Sequence, residues 1–278
     1  MSVTGRWYPG QYLTDTSQAE EFLYKEASNK LQFVELDAVV NKYGQWCPVA
    51  KATEILGEKW TVLIIRELLM GSTRFSQLQR GLGTISPTLL TKRLNMLDEF
   101  GLVYRRRVQG QKGFEYFPTD ACRQLQPVIL ALGSWGMQWT RDFLGDADYD
   151  VELLMLYLER SILPDKMPGS KGVIRFRFTD FSDQPNWWIT VDGENVDVCT
   201  SDPGLDVDVY ITTTVKAMTD AWMGRTSYRQ AKAEGSFDVI GPSALTRNIS
   251  TWLSNCVFAD LPAPEEILSL SGRTLSHM

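Results

Sequence analysis

Along residues 47–100 apolar positions recur at helical spacing and are broken only at turn residues. Residues 47–56 read as a helix that Pro48 opens, because a proline's missing N–H costs nothing in the first turn. Gly57 interrupts it. A second helix is predicted over 59–70, with Trp60, Leu63, Ile64 and Leu68 on one period. Residues 74–82 form a short amphipathic helix with Phe75, Leu78 and Leu82 inward. After a turn at 83–85, Ser86 and Pro87 make an N-cap and first-turn pair that starts a helix over 87–100. That helix buries Leu94 and Leu97 with Leu89 or Leu90, and it turns Thr88, Thr91, Lys92 and Asn95 outward with Arg93 alongside. The period then drops to two. Residues 102–108 and 114–118 alternate and are joined by a Gly- and Lys-bearing tip at 109–113, a hairpin.

A helix is expected over 120–143, and residues 145–150 break it. Beyond lies a helix over 151–163, then alternating segments at 172–179, 187–192, 195–199 and 206–212. Helical spacing returns at 215–222 and 227–233, followed by a strand at 237–240 and a helix at 243–253. About five strands with flanking helices describe an α+β layer. Asp206 and Asp208 fall on one side of their strand and read as a solvated acidic face.

With 278 residues, 44% hydrophobic and 22% charged, the chain suits two globular domains of ordinary size. No run of 18 apolar residues exists, and the N-terminus lacks a basic start followed by an apolar stretch, so a soluble cytoplasmic protein is expected, with no membrane partner. Cys47, Cys122, Cys199 and Cys256 lie far apart, and the one histidine, His277, is near the end. That spacing offers neither a metal site nor a disulfide framework, and it leaves most enzyme classes without their usual base. The expectation is no enzyme and no cofactor. Residues 1–16 read as an extended arm, and Ser17 with Glu20 forms a capping box for a helix after it.

Charge separates the two halves. Between residues 47 and 141 stand thirteen basic and seven acidic residues, a balance of +6 in a chain whose total is −6. A basic segment inside an acidic chain points to one part that meets a polyanion and one that does not. Three helices and a basic hairpin make a winged helix-turn-helix. The third helix, bearing short polar and basic side chains, can enter a major groove, and the hairpin tip can approach phosphates. Arg105, Arg106 and Arg107 are adjacent on a strand and cannot all face DNA. Arg93 has an alternative role, bracing the helix against Asp98 or Glu99.

The run from Cys47 through ILGEKWTVLIIRELL, RFSQL and ISPTLLTKRLNMLDEFGLV, with the hairpin and PVILALGSWG after it, resembles the HxlR family of bacterial transcriptional regulators. The resemblance implies a homodimer in which helices 48–56 and 120–143 pair, and a pseudo-palindromic double-stranded DNA operator with half-sites about one helical turn apart. It assigns Ser86, Thr88, Thr91, Lys92 and Arg93 to the recognition helix and Arg105, Arg107 and Lys112 to the wing. Cys47 sits where some members keep a redox-sensing cysteine, and the start of a helix favours a thiolate there; a small buried side chain is the alternative. The later motifs WWITVDG, DVDVYITT and AWMGRTSYRQAKAEGSFDVIGP resemble the sterol-carrier-protein-like domain. That resemblance implies an apolar cavity for a small hydrophobic ligand, with Phe176, Phe178, Trp188, Trp222, Met223 and Leu245 as lining residues, unless they are simply core. The organisation expected is an arm and helix over 1–45, a winged helix-turn-helix over 46–144, a sterol-carrier-protein-like domain over 145–257 and a tail over 258–278. A redox regulator acting through Cys47 and a hydrophobic-ligand carrier are the alternative functions.

Overall fold

The computed structural model describes residues 42–108, 113–140, 143–169 and 171–262. The expected arm and first helix up to residue 41, the wing-tip Lys112, and His277 lie outside the described residues. The described chain divides into two compact units between Ala131 and Leu132.

In the first unit, α1 spans Pro48–Leu56, α2 Thr61–Leu69, α3 Phe75–Leu82 and α4 Pro87–Glu99. The hairpin β1 (Val103–Arg107) and β2 (Phe114–Pro118) is antiparallel and pairs Arg105 with Tyr116. Caps explain the boundaries. The Ser86 hydroxyl accepts the Leu89 N–H at 3.3 Å, and Gln77 Oε1 accepts the Arg74 N–H at 2.9 Å. Ile64, Ile65, Leu78, Leu90, Leu94, Leu97 and Phe100 fill the core. Leu90 resolves the choice left open at 89 or 90, since Leu89 is only partly buried.

The helix expected over 120–143 is two helices, α5 (Asp120–Arg123) and α6 (Gln126–Trp139). Pro127 is the reason. It has no N–H for the Arg123 carbonyl, and its ring would collide with that carbonyl in a continuous helix, so the chain turns and proline takes a place in the first turn of α6.

The second unit sets α7 (Val151–Ser161), α8 (Val215–Trp222), α9 (Tyr228–Ala233) and the short α10 (Ser243–Thr246) with a five-stranded sheet. The strands are β3 (Lys171–Phe178), β4 (Asn186–Asp192), β5 (Asn195–Cys199), β6 (Val209–Thr213) and β7 (Phe237–Ile240), in the order β5-β4-β3-β6-β7. Only β3 and β6 run parallel. Ile174, Phe176 and Phe178 alternate onto the face that meets Leu154, Met155, Leu158 and Met218. Two boundaries differ from expectation. Residues 206–208 precede β6, and Asp208 is not a solvated acid: its carboxylate accepts the Val173 N–H at 2.8 Å. The helix expected over 243–253 stops at Thr246, because the Leu245 carbonyl accepts the indole N–H of the fully buried Trp252 at 2.9 Å instead of continuing a helical ladder.

Candidate nucleic-acid interface

Helix α4 owes its pose to its apolar side. Leu90, Leu94 and Leu97 are buried, which turns Thr88, Thr91, Lys92 and Asn95 to solvent. Ser86 is exposed at the helix start, but its hydroxyl is committed to the cap. The Thr91 hydroxyl donates to the Pro87 carbonyl at 2.9 Å, so its methyl group and lone pairs face outward. A recess of about 480 Å³ runs along this side, lined by Glu58, Thr88, Thr91, Lys92, Arg93, Asn95, Met96 and Glu99.

Arg93 does not share that outward orientation. Its residue is 9% exposed, Nη2 donates to Glu58 Oε2 at 2.6 Å, and Nε donates to the Lys59 carbonyl at 3.1 Å. The expectation of a reading arginine is thereby corrected, and so is its alternative partner, which is Glu58 instead of Asp98 or Glu99. The period explains the error. Arg93 lies about 200° around the helix from Thr91, on the flank that meets the turn before α2. Glu58 lies 35 positions away in sequence, and no local pattern marks the pair.

The wing alternates as expected. Arg105 and Arg107 are exposed and lie over the Phe114 ring at 5.1 and 5.8 Å, while Arg106 stacks on Phe117 at 4.7 Å and bonds Glu115 at 2.9 Å. Arg105 is partly neutralised by Asp98 at 3.5 Å. Arg107 therefore presents the less encumbered cation of the two.

A buried polar knot supports this surface. Glu67 is fully buried; Arg66 Nε and Nη2 donate to its Oε1 at 3.2 and 3.0 Å, and the Ser72 hydroxyl donates to Oε2 at 3.3 Å. Arg66 also reaches the Gly81 carbonyl at 3.1 Å, tying α2 to α3.

Two cysteines contrast sharply. Backbone N–H groups of Ala50 and then Val49, at the open end of α1, hold the Cys47 thiol below its ordinary range, whereas burial pushes Cys122 up to about 12. Iodoacetamide near neutral pH is therefore expected to label Cys47 first and to leave Cys122 unlabelled until unfolding, as read by peptide mass spectrometry. Comparable labelling rates at the two sites would contradict this contrast.

The candidate lining residues divide between the packed core and other positions. Phe176, Phe178 and Leu245 belong to the packed core of the second unit. Trp222 stacks on Tyr157 at 5.1 Å and donates its indole N–H to Ser161 Oγ at 2.8 Å, and Met223 is half-buried. Trp188 is a correction: Trp187, Ile189 and Val191 take the core face of β4, so Trp188 lies on the opposite face beside Arg175. Among the described residues, no group of three or more His, Cys, Asp or Glu is arranged to hold a metal ion, and no helix is long and apolar enough to cross a membrane.

The family model described as HxlR-like helix-turn-helix matches residues 55–143. The HTH-type transcriptional regulator YvaP of Bacillus subtilis strain 168 is 34% identical over 97 residues, covering 34% of this chain and 90% of YvaP. The chain belongs to the HxlR-like helix-turn-helix family. This HxlR-like protein is also 44% identical over 92 residues to the HTH-type transcriptional regulator MT3179 of Mycobacterium tuberculosis strain CDC 1551, covering 33% of this chain and 58% of MT3179. The chain thus spans little more than half the length of that relative. A solved structure of sterol carrier protein 2 like 2 from Aedes aegypti is similar at 17% identity and a TM-score of 0.29, covering 38% of this chain and 97% of that one.

Proposed function

We propose that this protein is a transcriptional regulator that binds a pseudo-palindromic double-stranded DNA operator as a homodimer. The observation that carries the reading is the outward side of α4, where Thr88, Thr91, Lys92 and Asn95 stand together on a helix whose other side is locked into the core. Asparagine matches the acceptor and donor pattern of adenine, lysine the acceptors of guanine, and the threonine methyl packs on thymine. Arg105, Arg107 and Lys112 supply the sequence-independent contacts to phosphate from the wing.

Helix α6 supports the dimer. Val128, Leu132, Trp135 and Trp139 follow one another at steps of four, three and four, the spacing of a helix-pairing seam, and each is 43–56% exposed. Val49 on α1 is 72% exposed as well. Exposed apolar side chains in such a row mark a surface that a partner covers, and a second copy supplies the identical row.

The experiment that tests the reading is selection from a random 30-base-pair duplex library, followed by footprinting on the enriched sequence. An enriched inverted repeat supports it; binding without any enriched sequence rejects it. On that duplex Lys92→Ala is expected to cost about 1–3 kcal/mol of specific binding, while Lys112→Ala weakens all sequences alike and lowers the salt slope by about one. Equal loss of specific and nonspecific binding in Lys92→Ala would remove Lys92 from the reading face.

In this reading the second unit senses a small hydrophobic effector and shifts operator affinity by its differential binding to two states of the dimer. Native mass spectrometry of freshly purified protein tests that arm: a dimer carrying an extra apolar mass supports it, and an empty dimer counts against it. A redox regulator acting through Cys47 is the second reading, favoured by the lowered thiol at the start of α1. Operator binding insensitive to diamide in the wild type would reject it.

A further inference from the structure

We infer that Arg93 is a positioning residue for DNA reading, a latch that sets the rotation of α4 by holding it to the turn at residues 57–60. The inference rests on the DNA-binding reading above and adds the device that keeps the reading side chains in register.

Three observations converge on the turn. Trp60, which caps the start of α2, has φ of 81°, the only non-glycine residue with positive φ among the described residues. A Cβ disfavours that left-handed backbone, so something must hold it. The Lys59 carbonyl that accepts Arg93 Nε belongs to the peptide unit entering Trp60, so this bond fixes the plane about which the unusual φ turns. On the same edge of the guanidinium, Nη2 takes Glu58 one residue earlier, which gives two directional bonds from one planar fork to two consecutive residues. The burial of Arg93 makes the arrangement hard to relax: without Glu58 its charge would be poorly solvated.

The consequence for α4 is geometric. One residue of rotation moves a side chain about 100° around a helix axis. Apolar packing by Leu90, Leu94 and Leu97 tolerates small rotations, because dispersion contacts are not directional, whereas a two-bond fork does not. Glu58 also lines the recess that holds Thr88, Thr91, Lys92 and Asn95, so Arg93 neutralises a carboxylate that would otherwise face DNA phosphates beside the reading residues.

The test uses the full chain and the duplex enriched from the random library, with a scrambled duplex as the nonspecific reference. Arg93→Met combined with Glu58→Gln removes both charges and leaves net charge unchanged. The expected result is a specific-to-nonspecific affinity ratio at least tenfold lower, with the salt slope on the scrambled duplex unaltered. Glu58→Gln alone is expected to lower the ratio too, and adding Arg93→Met to it changes little further. Two results would overturn the latch. In one, Glu58→Gln strengthens binding and Arg93→Met lowers the salt slope by about one phosphate contact, which makes Arg93 a direct DNA ligand. In the other, the double variant loses specific and nonspecific affinity alike, with the same enriched sequence, which makes the pair a general contributor to folding. Failure of the wild type to enrich any sequence would instead reject the DNA reading on which the latch depends.

Discussion

Gly81→Ala is expected to lower the unfolding midpoint of the helix-turn-helix unit by roughly 12 °C or more, taking a loss of about 3 kcal/mol and 4–8 °C per kcal/mol for a domain of this size. Helix propensity alone argues the opposite way, since alanine within a helix gains about 1 kcal/mol over glycine. Sterics decide the sign. A Cβ on Gly81 would stand 2.1 Å from Glu67 Oε2 and 2.4 Å from its Cδ. The carboxylate must move, and with it go the bonds from Arg66 and Ser72. Glu67 is fully buried and has no route to water, so a displaced carboxylate is an uncompensated buried charge. Thermal unfolding followed by circular dichroism measures the loss. A Glu67→Ala background provides the control: with the carboxylate gone, Gly81→Ala should cost far less. Equal costs in both backgrounds would show that the clash is not the cause.

If the proposed homodimer forms through α6, Trp135→Glu is expected to convert it to a monomer at micromolar concentration, weakening association by roughly 100-fold or more. Each copy loses an aromatic contact of about 1.5 kcal/mol, and two-fold symmetry counts the loss twice, while 1.4 kcal/mol corresponds to a factor of ten. The two introduced carboxylates add desolvation and mutual repulsion in the same direction. Trp135 is 56% exposed within one chain, so the substitution removes little of the monomer's own packing, and its effect should fall on association. Sedimentation equilibrium reads it, with Leu205→Glu, an exposed apolar position in the loop before β6, as the control that should leave mass unchanged. A Trp135→Glu protein that remains dimeric would place the interface elsewhere. Binding to a two-half-site operator should fall with the dimer, and binding to a scrambled duplex should fall much less.

The helix-turn-helix was legible because its determinants are local. Ser86 and Pro87 mark the start of α4, the apolar period assigns its buried side, and alternation along the wing separates Arg105 and Arg107 from Arg106. Thr88, Thr91, Lys92 and Asn95 follow directly from that period. Where the reading failed, the deciding partner was distant in sequence. Arg93 is basic and next to Lys92; the helical period sets it on the inner flank, and only Glu58 and Lys59, from before α2, supply the partners its charge needs there. Asp208 reads as a surface acid until the Val173 N–H of a neighbouring strand is seen to need it.

The amino-acid sequence by itself determined helix α4 and its outward side, and the membership of the HxlR-like helix-turn-helix family, since periodicity, capping and turn chemistry act over a few residues. The tertiary structure alone decided which polar groups are committed: Arg93 to the turn at Trp60, Glu67 to Arg66 and Ser72 against Gly81, and Asp208 to the Val173 N–H. The physical reason is desolvation. A charged or polar side chain removed from water must find a partner, and that partner is chosen by proximity in space, which no local pattern of the chain records.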